Sequence, residues 1–138
     1  MSEQRRIVGV DYGRKRVGLA ISDPLRMFAQ PLGTYDPRTA VDVLKDLHSS
    51  SALETIVVGW PLLLDGSAGE ATQRVQEYVN RLRNALPGVD VVTWDERFSS
   101  QIASQLLVEA RPRRRPRKSE GLHDAVAAAV ILQDYLDR

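Results

Sequence analysis

Two runs rich in β-branched and apolar residues, RIVGVDY at Arg6 to Tyr12 and VGLAIS at Val17 to Ser22, are separated only by Gly13, Arg14, Lys15 and Arg16. A connection that short between two such runs reads as a β-hairpin with a basic tip, and a sheet that begins with a hairpin limits what can follow. A third extended piece, Gln30 to Tyr35, ends at Asp36-Pro37, where aspartate can cap a helix and proline suits its first turn. The helix expected next, about Arg38 to His48, places Ala40, Val43, Leu44 and Leu47 on one face. Thr55 to Gly59 is short and almost wholly apolar, the composition of a strand buried on both faces.

Beyond a loop from Trp60 to Gly66, Ser67 and Glu70 stand in capping-box spacing, and Val75, Tyr78, Val79, Leu82 and Leu86 trace a helical stripe that Pro87-Gly88 ends. Val89 to Trp94 reads as the last strand, Ser99 or Ser100 as the cap of a helix reaching about Ala110, and Glu120 to Leu136 as the final helix. Ala125 to Leu132 is apolar on all sides, so that helix should be deeply packed. The order β-β-β-α-β-α-β-α-α predicts a mixed α/β fold with helices covering the sheet, and 138 residues leave room for one domain, 1–138.

Several function classes drop out. The longest apolar run is far shorter than a membrane span, and the first six residues lead into no signal-peptide core, so a cytoplasmic protein without membrane contact is expected. There is no cysteine and there are only two histidines, so carboxylates are the first suspects for any chemistry. The net charge of +1 hides an asymmetry: residues 111–118 hold six of the 19 basic residues and none of the 18 acidic ones. Such a block on an otherwise acidic chain is the footprint of a phosphate-backbone contact, and equally the composition of a solvated linker.

Asp11 ends the first strand, Asp95-Glu96 ends the last, and Asp124 falls in the first turn expected for the final helix. Ligands of α/β sheets bind at the carboxyl ends of the strands, so three carboxylates would converge if these elements are neighbours. Clustered carboxylates repel one another unless a cation neutralises them, and oxygen donors suit Mg²⁺ or Mn²⁺. Two such ions about 3.5 to 4 Å apart can activate a water and stabilise the leaving oxygen of a phosphodiester. Basic residues would then hold a nucleic acid strand: Lys15, Arg16, Arg97 and, in the basic block, Arg111, Arg113, Arg114, Arg115, Arg117 and Lys118. Each acid also has a plainer reading. Asp11 can begin a turn, Asp95 or Glu96 can pair with Arg97, and acids in a first helical turn are common. Trp60 reads as a cover for the core, and His48 as a charge favouring a helix end.

Four ordered blocks carry a family resemblance. Ile7 to Pro24 (IVGVDYGRKRVGLAISDP) resembles the opening signature of the bacterial YqgF family, also called RuvX. Val57 to Ser67, Asp95 to Ser100, and Asp124 through Leu136 are similar to its remaining motifs, in order. The resemblance implies a ribonuclease H-like fold with a mixed five-stranded sheet, helices on both faces and an acidic metal site. By motif, Asp11, Glu96 and Asp124 are then the metal-binding catalytic carboxylates, with Asp95 ranked behind Glu96 because adjacent strand residues point to opposite sides. It also implies a metal-dependent endonuclease, acting on the 5′ end of pre-16S rRNA or, as discussed for some members, on branched DNA as a Holliday junction resolvase. The basic loop 111–118 corresponds to a variable basic connection of the family and is unusually arginine-dense here.

Two other readings compete. ATP-binding domains of the actin and sugar-kinase type also start with a strand ending in an Asp-x-Gly hairpin, but they close two lobes around the nucleotide and this chain has length for one. A non-catalytic RNA-binding ribosome-assembly factor would use the basic loop and leave the carboxylates structural. Junction cutting needs a symmetric homodimer, whereas trimming one RNA can be done by a monomer.

Overall fold

The computed structural model describes residues 5–61, 69–95 and 119–138, with side chains of the last helix from Asp124 onward. Among them are β1 (Arg6–Tyr12), β2 (Val17–Ser22), β3 (Ala29–Tyr35), α1 (Pro37–Ser51), β4 (Leu53–Trp60), α2 (Glu70–Ala85), β5 (Asp90–Asp95) and α3 (Ser119–Leu136). The helix expected between Ser99 and Ala110 lies outside the described residues.

The five strands form one sheet in the order β3-β2-β1-β4-β5. The hairpin expectation holds: β1 pairs antiparallel with β2, with Asp11 opposite Gly18 and Tyr12 opposite Val17. β3 adds antiparallel to β2, while β4 and β5 run parallel to β1, so the sheet is mixed. The apolar composition of β4 now has its cause, because every residue from Thr55 to Gly59 is buried in a strand flanked on both sides. At the edge, β3 carries Pro31 and a register shift between Leu19 and Ala20, two devices that discourage pairing with a further strand.

Two cores lie on the two faces. On one, Val8, Val10, Leu19, Ile56 and Val58 of the sheet pack against Ala40, Val41 and Leu44 of α1 and Val75, Tyr78, Val79 and Leu82 of α2. On the other, Ile7, Ala20 and Val57 pack against Ala128, Ile131 and Leu132 of α3. Fully burying one such aliphatic side chain contributes about 1.5–3 kcal/mol. The α1 stripe is shifted slightly from expectation, with Val41 buried and Val43 and Leu47 only partly covered. The α3 run is not buried all round: Ala125, Ala128, Ile131 and Leu132 face the sheet, and the residues between them are half-buried.

The helix ends follow local chemistry. Asp36 caps α1, its carboxylate accepting from the Thr39 N–H at 2.7 Å, with Pro37 in the first turn. The Ser67–Glu70 capping box is not what starts α2: its N-cap is Gly69, which makes no side-chain cap hydrogen bond, and Glu70 is the first helical residue. Glutamate at that position cannot reach back as a capping box requires. Nor does His48 act simply as a charge at a helix end, since its Nδ1 accepts from the Leu53 N–H at 3.0 Å and fixes the turn into β4. Trp60 packs against the first core, as expected.

Candidate active site

Asp11 and Asp124 are brought together by the packing of α3 on the sheet. Alternation along β1 sends Val8 and Val10 to the α1/α2 face, so Ile7, Gly9 and Asp11 belong to the α3 face. Gly18, the cross-strand partner of Asp11, lies under the α3 backbone: a β-carbon there would collide with the Asp124 carbonyl and the Ala125 nitrogen. Gly9 repeats the arrangement further along, where a β-carbon would lie 2.7 Å from both the Ala128 carbonyl oxygen and the Leu132 Cβ. The two glycines leave a flat surface on which α3 sits backbone to backbone, which sets Asp124 over the end of the hairpin that carries Asp11. The helix begins at Ser119, so Asp124 is in its second turn and not in the first. A first-turn acid is explained by the helix N-terminus alone. One a turn deeper, seated against the sheet, is held by packing.

The basic tip closes over this place. An open cavity of about 560 Å³ is lined by Gly13, Arg14, Lys15, Arg16 and Asp124, so three cations surround one carboxylate. Arg16 Nε is 3.3 Å from Asp124 Oδ2, with the arginine side chain 50% and the aspartate 28% exposed. An ion pair so open to water contributes little to stability, about 0–1 kcal/mol, and can be rearranged by an anion or a cation entering the cavity. Lys15 and Arg16 thus stand where a phosphate backbone would be gripped, beside an expected carboxylate.

Asp95 is placed differently. It pairs with Trp60 at the end of β5, and with Val91 and Thr93 it belongs to the α1/α2 face, whereas Val92 and Trp94 face α3. Asp95 and Asp11 are therefore on opposite faces of the sheet. Trp94 is tied to α3, its Nε1 donating to Asp134 Oδ2 at 2.6 Å and its ring meeting Tyr135 edge-on. At the far end of α3, Gln133 accepts from the Ala29 N–H at 2.8 Å and donates to the Met27 carbonyl at 3.0 Å. The helix that bears Asp124 is thus fixed to both halves of the sheet. Glu96, Arg97, Arg111, Arg113, Arg114, Arg115, Arg117 and Lys118 lie outside the described residues.

Two residues of the site escaped sequence reasoning. Gly18 sits in the middle of an otherwise β-favouring run, a position where glycine signals a close backbone approach. Arg14 was hidden between its equally basic neighbours, yet it lines two cavities, the one described and a smaller one of about 180 Å³ with Tyr12, Pro61 and Val75 on the other side of the hairpin tip.

A family model described as "RuvX: Holliday junction resolvase" matches residues 5–138. The chain belongs to the RuvX family. A Salinibacter ruber protein named "Putative pre-16S rRNA nuclease" is 52% identical over 138 residues, covering 100% of this chain and 96% of that protein. A Chlorobaculum tepidum protein of the same name is 43% identical over 136 residues, covering 99% and 96%. Among solved structures, Thermus thermophilus RuvC in complex with a Holliday junction substrate superposes with a TM-score of 0.53 at 18% identity, covering 96% of this chain and 93% of that one. The large terminase nuclease of phage G20c gives 0.51 at 14% identity, covering 97% and 83%. At those identities the likeness is one of fold, and the RuvX chain has the ribonuclease H-like mixed sheet with helices on both faces.

Proposed function

We propose that this RuvX chain is a metal-dependent endonuclease that hydrolyses a phosphodiester at the 5′ end of pre-16S rRNA. The observation that carries the reading is the seating of Asp124 over Gly18, the strand partner of Asp11, beneath a tip of three cations. The names of the relatives at 52% and 43% identity supply the substrate.

The donor set fits Mg²⁺ or Mn²⁺ in kind, being carboxylate oxygen without sulfur or imidazole. Among the described residues no cluster of three or more acidic, histidine or cysteine side chains is close enough to hold an ion, and Asp11 and Asp124 are two of the three ligands proposed. Glu96 is the third. The placement of Asp95 on the opposite face from Asp11 supports its sequence neighbour for the role. Divalent ions bound there, two in this reading, would supply an activated water and neutralise charge on the leaving oxygen. The chain's own part is positional. Asp11 and Asp124 hold fixed oxygens at the end of the sheet, and Lys15 and Arg16 grip the phosphate backbone and, with Arg97 and the block from Arg111 to Lys118, set its path. Arg16 lies beside Asp124 in this structure and would exchange that contact for a phosphate when substrate arrives.

The test offers wild-type and Asp11→Asn protein a 5′-extended 16S rRNA precursor and a four-way DNA junction, with Mg²⁺, Mn²⁺ or EDTA. Metal-dependent cutting of the RNA, lost in Asp11→Asn, is expected. Paired cutting of the junction alone would make the chain a resolvase, and full activity in Asp11→Asn would remove the carboxylate assignment. Salt-sensitive binding without any cutting would leave a ribosome-assembly factor.

A further inference from the structure

The smaller cavity has a lining that the cleavage chemistry does not use. It lies at the end of β1 on the side of Tyr12, and is walled by Tyr12, Pro61 and Val75 with Ala71 and Arg74 of α2 and Arg14 of the hairpin tip. Its interior is mainly apolar and its rim carries two guanidinium groups. At about 180 Å³ it is well below the roughly 300 Å³ and more of pockets for drug-sized ligands, and suits one planar ring system. The Tyr12 ring is half-buried and held in place 4.6 Å from that of Tyr78, whose hydroxyl donates to the Pro37 carbonyl at 2.8 Å. Arg74 is exposed enough to turn toward a ligand, its only printed neighbour being the exposed Glu70 carboxylate at 3.5 Å.

Position relative to the carboxylates gives the cavity a meaning. Asp11 and Tyr12 are consecutive on β1 and so belong to opposite faces, and Gly13 and Arg14 line both cavities. The tip at Gly13 is folded tightly, since a β-carbon there would lie 2.7 Å from the Arg16 carbonyl oxygen. A strand crossing this low wall would present a phosphate to Asp11 and Asp124 and an adjacent base to Tyr12. Unpaired bases are received in this way, by apolar and aromatic walls that replace stacking and by arginines that add cation–π contact.

We propose that the pocket between Tyr12, Pro61 and Val75 takes one unstacked nucleobase of the substrate strand, next to the phosphate at the carboxylates. The inference rests on the nuclease reading above and adds to it a subsite that makes the RuvX chain prefer single-stranded or frayed nucleic acid at the cut. Arg14 and Arg74 are its positioning residues.

The experiment uses an RNA spanning the cut mapped in the cleavage assay, in a series with one abasic site moved through each position. Binding is read by fluorescence anisotropy with Ca²⁺ as the ion, and single-turnover cutting with Mg²⁺ or Mn²⁺. Wild-type protein should bind about tenfold more weakly when the abasic site falls at one position beside the cut, and near normally elsewhere. Ala71→Leu, an exposed helical position where leucine is well tolerated, narrows the cavity and should flatten the scan while circular dichroism is unchanged. A cut with a flat scan in the wild type, or a penalty that persists in Ala71→Leu, overturns the pocket and leaves the nuclease reading standing. No cut on any nucleic acid overturns both.

Discussion

Gly18 lies directly beneath the backbone of Asp124, so close that a methyl group on Gly18 would occupy the space of the Asp124 carbonyl. One strand residue without a side chain thereby fixes the height and register of α3 and with them the position of a carboxylate. The relationship explains how an acid on the last helix comes to stand beside one on the first strand.

Gly18→Ala should move α3 off the sheet. Both partners in the clash are backbone, so no side-chain rotation relieves it, and overpacking of this kind costs about 1–3 kcal/mol. Urea titration should report that loss, and cleavage should fall further than stability does, because Asp124 is displaced from Asp11. Unchanged cleavage in a folded Gly18→Ala protein would mean that α3 height does not control the site.

Arg16→Gln should separate the ion pair from the phosphate grip. The pair with Asp124 is half exposed, so thermal stability should shift by less than about 1 kcal/mol. Removing a guanidinium beside the carboxylate should lower the Mn²⁺ concentration needed for half-maximal activity. The salt dependence of RNA binding should become shallower by about one phosphate contact. A steeper metal requirement in the variant would show that Arg16 assists the ion rather than competing with it.

Acid should weaken the fold in a defined way. Asp23 accepts from the N–H groups of Phe28, Met27 and Leu25, and Asp36 from the Thr39 N–H and hydroxyl, which hold both carboxyls below the ordinary aspartate value of 3.8. Because the folded values are the lowered ones, this stabilisation is complete above 3.8 and is lost as pH falls through the folded values. The double variant Asp23→Asn, Asp36→Asn should therefore show a flatter stability curve than wild type from about pH 5 down to about pH 2 in urea titrations.

Tyr78→Phe should loosen the junction of α1 and α2 while sparing the hydrophobic core. Its hydroxyl donates to the Pro37 carbonyl, and burial keeps the phenol protonated well above its usual range. Loss of that bond costs about 1 kcal/mol in urea titration. Since Tyr12 leans on the Tyr78 ring, which the variant keeps, RNA binding should be nearly unchanged.

The elements of this fold were legible because local chemistry announced them. The four-residue gap after Tyr12 declared the hairpin, Asp36-Pro37 declared the start of α1, and the unbroken apolar run at Thr55 to Gly59 declared a strand with neighbours on both sides. Where the start rested on a longer-range guess, as with Ser67 and Glu70, the sequence misled, because several residues near a helix start can satisfy a capping pattern and only the backbone path selects one. Asp11 and Asp124 were each nameable from the chain, one by its place at a strand end and one through a motif. That they meet was not, since 113 residues of separation are closed by contacts between backbones, which no side-chain pattern records. Likewise, only the alternation of a folded strand distinguished the face of Asp95 from that of Asp11, and only the wrapping of α2 against the hairpin enclosed Tyr12 and Pro61. The sequence by itself determined which segments become strands and helices and which residue types were available for chemistry, because periodicity and capping act over a few residues. The tertiary structure decided which of those residues face one another, because facing depends on how closely whole elements can approach.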